Sequence, residues 1–440
     1  MKILVFNAGS STQKMRLYDI EASPPERPLP PLWSCDADWT HDQDFLSERL
    51  SAPTMNRGAT GREGSVVARN FKESASLRIS ANGRKLEKDI PMGARPAILE
   101  EMLKTLWSGE TQVIKGPDDI AVVGHRVVHG GPDYRESTLI TPTVQEAIRR
   151  LSAFAPLHNP ANLEGIETAR RVLGDVPQVA VFDTAFHRTL PMPTAVYPGP
   201  YGWFEQGIRR YGFHGISHQY CARRSAQIVG RDPASLRIIN CHLGNGCSLA
   251  AIKGGQSIDT TMGFTPLEGL MMGSRSGSID PSILIYLQRE KQASVDQLDT
   301  LLNKESGLKG ISGVSSDMRQ VMQARKEGNE RAKLALEMFV YRLRCFTGAM
   351  LAALEGVDVL TFTGGIGENA PEVRAGACAA FGFLNLKLDP DKNAGGPVDQ
   401  DIATSASAVR VLVVHTEEDW EIARESWQVV STLKGKPQLP

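Results

Sequence analysis

The chain has 440 residues, more than one ordinary hydrophobic core accommodates, so two or three domains are expected. Its 49 Lys+Arg balance 50 Asp+Glu to a net charge of −1, which leaves no field for gripping nucleic acid and no polybasic signature for a membrane surface. With 41% hydrophobic and 22% charged residues, no apolar run near the ~18 residues of a membrane span and an N-terminal apolar run too short for a signal peptide, the composition is that of a globular chain.

In chain order, Lys2 to Phe6 reads as a buried strand that breaks at Asn7-Ala8-Gly9-Ser10-Ser11-Thr12 and resumes over Lys14 to Tyr18, a β-hairpin with a small polar turn. The run from Pro24 to Pro31 continues neither a helix nor a central strand. Residues up to about 90 are polar and weakly periodic, and read as strands and loops decorating the first domain. Helical spacing predicts a helix over Arg95 to Trp107, and Ile120 to Val123 and Val179 to Phe182 read as buried strands. A second strand-turn-strand unit, Ile238 to Ile252, echoes the first and implies two halves on one plan. Apolar residues at 336, 339/340, 343, 346, 350/351 and 354 predict a long helix with its C-cap near Gly356. Val357 to Phe362 is then a strand, Gly364 to Asn369 a loop and Ala370 onward a helix. The last strand is Val409 to Val414, followed by a helix from about Glu418. Alternating strands and helices give an α/β class.

Cys35, Cys221, Cys241, Cys247, Cys345 and Cys378 form no CxxC pair, which argues against a structural zinc site or a disulfide framework and for a reduced, cytosolic protein. Gly365-Ile366-Gly367-Glu368-Asn369-Ala370 fits G-x-G-x-x-G/A, where small residues let main-chain N–H groups approach phosphate. As a dinucleotide fingerprint it would take Asp389 or Asp391 as the ribose acid. Its place near the C-terminus favours some other phosphate role, with a plain turn as the structural alternative. No GxxxxGK[ST] is present, which disfavours P-loop chemistry.

His125 and His129, and His214 and His218, are four apart, which in a strand puts both on one face. Metal ligation and hydrogen-bonded core histidines are the alternative readings. Arg126 follows an apolar strand and Arg275 sits in Met272-Gly273-Ser274-Arg275-Ser276-Gly277. Both settings suit a guanidinium that reaches an anion, and a surface ion pair is the plainer alternative. Asn7, Asp183 and Glu417 each stand just beyond an apolar strand and offer oxygen ligands of the kind Mg²⁺ takes, or else serve as turn and cap residues.

Taken together and in order, these segments resemble the acetate kinase family (acetate and propionate kinases), within the sugar kinase, heat-shock ATPase and actin group. The matching segments are Asn7 to Lys14, Gly124 to Gly131, Ala155-Pro156-Leu157-His158-Asn159-Pro160, Phe182 to His187, Tyr211 to His218, His242 to Gly246, Met262 to Gly269, Ser315 to Arg319, Gly364 to Asn369 and Thr416-Glu417-Glu418. Thr12 stands where the family usually has Ser, and Gly364 where it commonly has Ala. The resemblance implies an α/β fold of two actin-like ATPase (ribonuclease H-like) domains with an active-site cleft between them. The first would be 1–185 plus the C-terminal helix (about 418–440), with an insertion at about 22–90; the second would be 186–417. A homodimer is also implied.

By the same resemblance, Asn7, Asp183 and Glu417 are expected at the magnesium site, Asp183 being the central acid. Arg126 and Arg275 would grip the carboxylate and the transferring phosphoryl group, and His214 would stabilise the transition state. Lys14, His242-Leu243-Gly244-Asn245-Gly246, Asp317-Met318-Arg319 and Gly365-Ile366-Gly367-Glu368-Asn369 resemble the nucleotide-binding segments, and Val128, Leu157, Phe213 and Pro266 the wall around the acetate methyl. The implied activity is reversible transfer of the ATP γ-phosphoryl group to acetate, giving acetyl phosphate and ADP, with Mg²⁺ or Mn²⁺ as the metal. Alternatives are a propionate or butyrate kinase on the same fold, a non-catalytic nucleotide-binding regulator, and an oxidoreductase resting on the glycine motif alone.

Overall fold

The computed structural model describes residues 1–9, 12–38, 74–91, 93–156 and 158–434. The chain divides into two units: Met1–Val127, Ser137–Val181 and Ile422–Pro440 form one, and Val128–Glu136 with Phe182–Glu421 the other.

In the first unit, β1 (Lys2–Ala8), β2 (Thr12–Asp19), β3 (Trp33–Asp38), β4 (Ser74–Ala81) and β5 (Arg84–Pro91) run as an antiparallel meander. With β6 (Val122–Val127), β7 (Thr138–Leu139) and β8 (Gln178–Phe182) they make a sheet of order β5-β4-β3-β2-β1-β6-β8-β7, in which β6 lies parallel to β1. Six of the seven β1 residues are buried, as a central strand requires. In β4, Ala75, Leu77, Ile79 and Ala81 face inward at period two. They share a core with Ile98, Leu99, Met102 and Leu103 of the Arg95–Lys104 helix and with Ala169 and Leu173 of the Asn159–Leu173 helix. Burial of each such Leu, Ile or Met contributes about 1.5–3 kcal/mol. The edge strand β5 buries only Ile90 and carries Arg84, Lys85, Glu87, Lys88 and Asp89, charges that discourage edge-to-edge pairing. The Pro24–Pro31 run joins β2 to β3 without forming either regular element, and β3 to β5 are integral strands of the main sheet.

The second unit repeats the plan. β9 (Arg237–Leu243), β10 (Cys247–Lys253) and β11 (Gln256–Thr260) are antiparallel neighbours. β12 (Val359–Thr363) lies parallel to β9 as β6 does to β1, and β14 (Arg410–Val413) parallel to β12. With β13 (Gln400–Asp401) the order is β11-β10-β9-β12-β14-β13. The two hairpins that echo each other in sequence open the two sheets. The Glu330–Leu354 helix starts at Asn329, whose side chain accepts from the Ala332 N–H, and buries Ala332, Ala335, Leu336, Phe339, Leu343, Thr347, Met350 and Leu354. Thr347 takes the inward place expected of Phe346, because a 3.6-residue period drifts across a long helix. Its end is capped by Glu355 at φ 57°, one residue before the expected Gly356. Gly364–Asn369, expected as a loop, is a six-residue helix directly after β12.

Among the described residues no helix is long and apolar enough to cross a membrane. All six cysteines are free thiols, five of them buried.

Candidate active site

Several candidate residues stand where strands end. In the first unit, Asn7 and Lys14 face each other across the β1–β2 pair, and Phe6 is in register with His125 of β6. This brings Arg126 beside them: its Nη1 donates to the Ala8 carbonyl at 3.1 Å. Asn7 is 7% exposed, while Lys14 is exposed. Three sequence-predicted residues thus gather at one end of the first sheet. Ser10 and Ser11 of the turn, and Leu157 of the expected methyl wall, lie outside the described residues.

In the second unit, the β9–β10 turn carries His242 to Gly246, and the parallel neighbour β12 puts Thr363 in register with His242, so that Gly364 to Asn369 emerge beside that turn. Loops at the C-terminal ends of parallel strands are the usual ligand positions of α/β sheets. The Arg275 loop packs on the same turn. The Gly273 N–H donates to the Asn245 carbonyl at 3.0 Å, and a Cβ at Gly273 would lie 2.0 Å from Asn245 Oδ1. Arg275 Nη1 donates to the Pro266 carbonyl at 3.2 Å. A Cβ at Gly246 would lie 3.3 Å from His214 Nε2 and 3.6 Å from Arg275 Nη1. The bare main chain at Gly246 therefore lets an imidazole and a guanidinium lie close against it, where a side chain would crowd them.

Asp183 follows β8 and is 1% exposed; its main-chain carbonyl accepts from Gly215 N–H at 2.9 Å, at the start of the Gly215–Val229 helix. His214 caps that helix in the left-handed region, φ 54°, and His218 lies one turn on. The four-residue spacing thus aligns the two imidazoles on a helix, not a strand. Both meet one hydroxyl: His214 Nδ1 and His218 Nε2 are each 2.8 Å from Ser248 Oγ. No group of three or more His, Cys, Asp or Glu that could hold a metal ion is present among the described residues. His242 stacks on His214 at 4.3 Å between centroids, with its Nδ1 2.8 Å from Ser217 Oγ, which also bonds Thr416 Oγ1 at 2.9 Å. Burial holds His218 well below its ordinary pKa and His187 down at about 4, so both are neutral at pH 7.

Val128 and Phe213 are 3% and 1% exposed, and the Phe213 ring meets His129 edge-on at 5.5 Å; with the half-buried Pro266 they supply apolar surface. Asp317 caps the Met318–Lys326 helix, accepting from the Arg319 N–H at 2.8 Å, and holds the exposed Arg319 guanidinium. Both line a groove of about 360 Å³ with Gln320, Gln323 and Glu327. In the Gly364–Asn369 helix, Glu368 accepts from the Gly364 and Thr416 N–H groups and pairs with His415 Nδ1 at 2.6 Å, tying this segment to the stretch His415-Thr416. Arg374, 1% exposed, donates to the Gly367 and Glu368 carbonyls at 2.8 Å each and to Asn393. Asp389, one of the two candidate ribose acids, caps the helix that begins at Pro390, its side chain accepting from the Asp391 and Lys392 N–H groups.

Sequence reasoning missed Ser248, Asn240, Ser217 and Arg374. The signal for the first two was present: Asn240, His242 and Ser248 are polar residues in otherwise apolar strands, and His242 and Ser248 are cross-strand partners.

The Acetokinase family model matches residues 61–424. An acetate kinase of Cyanothece sp. is 55% identical over 432 residues, covering 98% of this chain and 99% of that one. The crystal structure of Porphyromonas gingivalis acetate kinase superimposes with a TM-score of 0.82 at 38% identity, covering 98% and 99% of the two chains. That of a propionate kinase from Francisella tularensis gives 0.82 at 35% identity, with 97% and 99% covered.

Proposed function

The chain belongs to the acetokinase family, with its actin-like ATPase fold, and from that membership and the site geometry we propose that it transfers the γ-phosphoryl group of ATP reversibly to acetate in a single in-line step. The observation that carries the reading is the gathering of His214 Nε2 and Arg275 Nη1 against the bare main chain at Gly246. Donors there suit a group whose equatorial oxygens gain charge.

Acetate's carboxyl group has a pKa far below 7, near those of the side-chain carboxyls, so the acceptor is already a nucleophile and needs no general base. One acetate oxygen forms the new bond to the γ-phosphorus while the bond to the bridging β,γ-oxygen breaks, and ADP leaves with that electron pair. The difficulty is bringing two anions into line. Arg126 grips the acetate carboxylate and Arg275 the transferring group. His214 donates a hydrogen bond to an equatorial oxygen. Asp183 orients ligands and water and takes no proton from the substrate. Val128, Phe213 and Pro266 wall the methyl group. Lys14, His242 to Gly246, Asp317 to Arg319 and Gly365 to Asn369 hold the nucleotide.

The oxygen donors of Asn7, Asp183 and Glu417 fit Mg²⁺ or Mn²⁺, hard cations that take one or two carboxylates together with waters and substrate phosphates. The buried Asp183 carboxylate is chemically the kind of ligand such an ion needs. The metal, when bound, supplies charge neutralisation on the phosphate oxygens. A homodimer is the assembly that accounts for the Ser282–Lys291 helix. It buries none of its residues in the single chain and leaves Ile283, Ile285 and Tyr286 about half exposed. With ATP and acetate as substrates, the cytoplasm is the compartment of action.

The test is trapping of acyl phosphate with hydroxylamine, using acetate, propionate and butyrate with ATP and Mg²⁺. Acetyl hydroxamate that disappears with EDTA is the expected result. Propionyl hydroxamate formed at higher kcat/KM would move the reading to a propionate kinase, a shift one methylene makes for only about 1–3 kcal/mol. No turnover with any acid by folded, ATP-binding protein would overturn it in favour of a nucleotide-binding regulator.

A further inference from the structure

Polar residues of the second sheet and of the Gly215–Val229 helix form a continuous hydrogen-bonded line that ends at His214. Asn240 of β9 donates from Nδ2 to His218 Nδ1 at 2.8 Å. His218 is 0% exposed and neutral, so with Nδ1 accepting, its single proton sits on Nε2. That N–H donates to Ser248 Oγ at 2.8 Å. The Ser248 hydroxyl is itself 0% exposed, and its own hydrogen is left to donate to His214 Nδ1, also at 2.8 Å. With Nδ1 accepting, a neutral His214 carries its proton on Nε2. This is the nitrogen that lies against Gly246 beside Arg275.

We propose that Asn240, His218 and Ser248 are positioning residues that fix the tautomer and aim of His214, so that it presents Nε2–H to the transferring phosphoryl group. The proposal rests on the role given to His214 above. A proton on Nδ1 would turn a bare lone pair toward the phosphoryl oxygens and repel them, so the direction of the line decides whether His214 helps or hinders. His218 suits the middle of the line because its surroundings deny it a second proton: His187 lies 5.6 Å away between ring centroids and His242 6.4 Å, both imidazoles, and burial disfavours the cation. His242 bonds Ser217 rather than Ser248, so it stacks on His214 without competing for the hydroxyl.

The first experiment needs no variant and no turnover. In ¹⁵N-labelled protein, the nitrogen shifts and N–H couplings of His214 are read at pH 7. A protonated Nε2 with an unprotonated Nδ1 is expected, and a proton on Nδ1 would overturn the proposal whether or not the protein turns over acetate. The second compares Ser248→Ala with the parent. kcat is expected to fall roughly 10–100-fold, as when an orienting partner is lost, with KM for ATP and acetate changed less than about threefold and His214 showing both tautomers. In a His214→Ala background the Ser248→Ala change should add almost nothing. A full additional loss of kcat in that background, or a Ser248→Ala enzyme with parental kcat, would sink the idea. Should Ser248→Ala fail to fold, the tautomer of the parent protein still decides. Absence of turnover in the parent would count against the proposed function and leave the ¹⁵N result to stand on its own.

Discussion

Arg275→Ala is expected to lower kcat by about 10²–10⁴, or roughly 3–5 kcal/mol of transition-state stabilisation, while the protein stays folded. The half-buried guanidinium lies beside Gly246 with Nη1, which donates to the Pro266 carbonyl. The loop's shape is fixed by main-chain bonds that the substitution leaves in place, such as Gly273 N–H to the Asn245 carbonyl and Met272 N–H to the Arg275 carbonyl. The loss should therefore fall on kcat more than on folding. Arg275→Lys should recover only part of it, since an ammonium keeps the charge but not the planar fork. Steady-state kinetics beside a thermal melt checks this. A parental kcat in Arg275→Ala would remove the guanidinium from the phosphoryl site.

The second large effect is on stability. Four histidines are buried and neutral, with burial the main cause of each depressed pKa: His125 at about 3, His129 and His187 at about 4, and His218 well below its ordinary value. Above the unfolded-chain value of about 6.5, neither folded nor unfolded chain protonates them and their contribution is fully present. As pH falls below about 6.5 the unfolded chain binds protons and the folded one does not. Each histidine then costs up to about 1.4 kcal/mol per pH unit, together roughly 5 kcal/mol per unit. His415 behaves oppositely: its pKa is raised by the hydrogen bond to Glu368, so its contribution is complete below about 6.5 and is lost as pH rises through the raised value. It therefore gives no offset in the acid range. Against a total stability of order 5–15 kcal/mol, unfolding is expected between about pH 5 and 4. Urea midpoints across pH 4–7 measure it, and a flat profile from 6.5 to 4.5 would contradict it.

Much of the fold could be read from residues because local patterns and tertiary structure agree. The two hairpins announced themselves as apolar strands around Asn-Gly-Ser turns, and the register pairs them as expected. Strands β3 to β5 are harder to read: in Ser74–Ala81 half of the inward positions are Ala, and Arg84–Pro91, an edge, is charged at five of its eight positions. The Gly364–Asn369 segment reads as a loop in sequence, and its three glycines disfavour helix. It persists with Glu368 bonded back to Gly364 and Arg374 holding its last carbonyls. The candidate residues were legible as motifs, but the His218–Ser248–His214 line was not. It depends on a helix turn lying over a strand, a long-range fact that spacing along the chain does not carry.

The claim on which the rest depends is a single direct displacement aligned by Arg126, Arg275 and His214. The measurement that tests it most directly is the stereochemical course at phosphorus, using ATP made chiral at the γ-phosphoryl group with oxygen isotopes and acetate as acceptor. Inversion of configuration in the acetyl phosphate is the expected result. Retention would require two successive displacements through a phosphorylated side chain and would contradict the direct transfer.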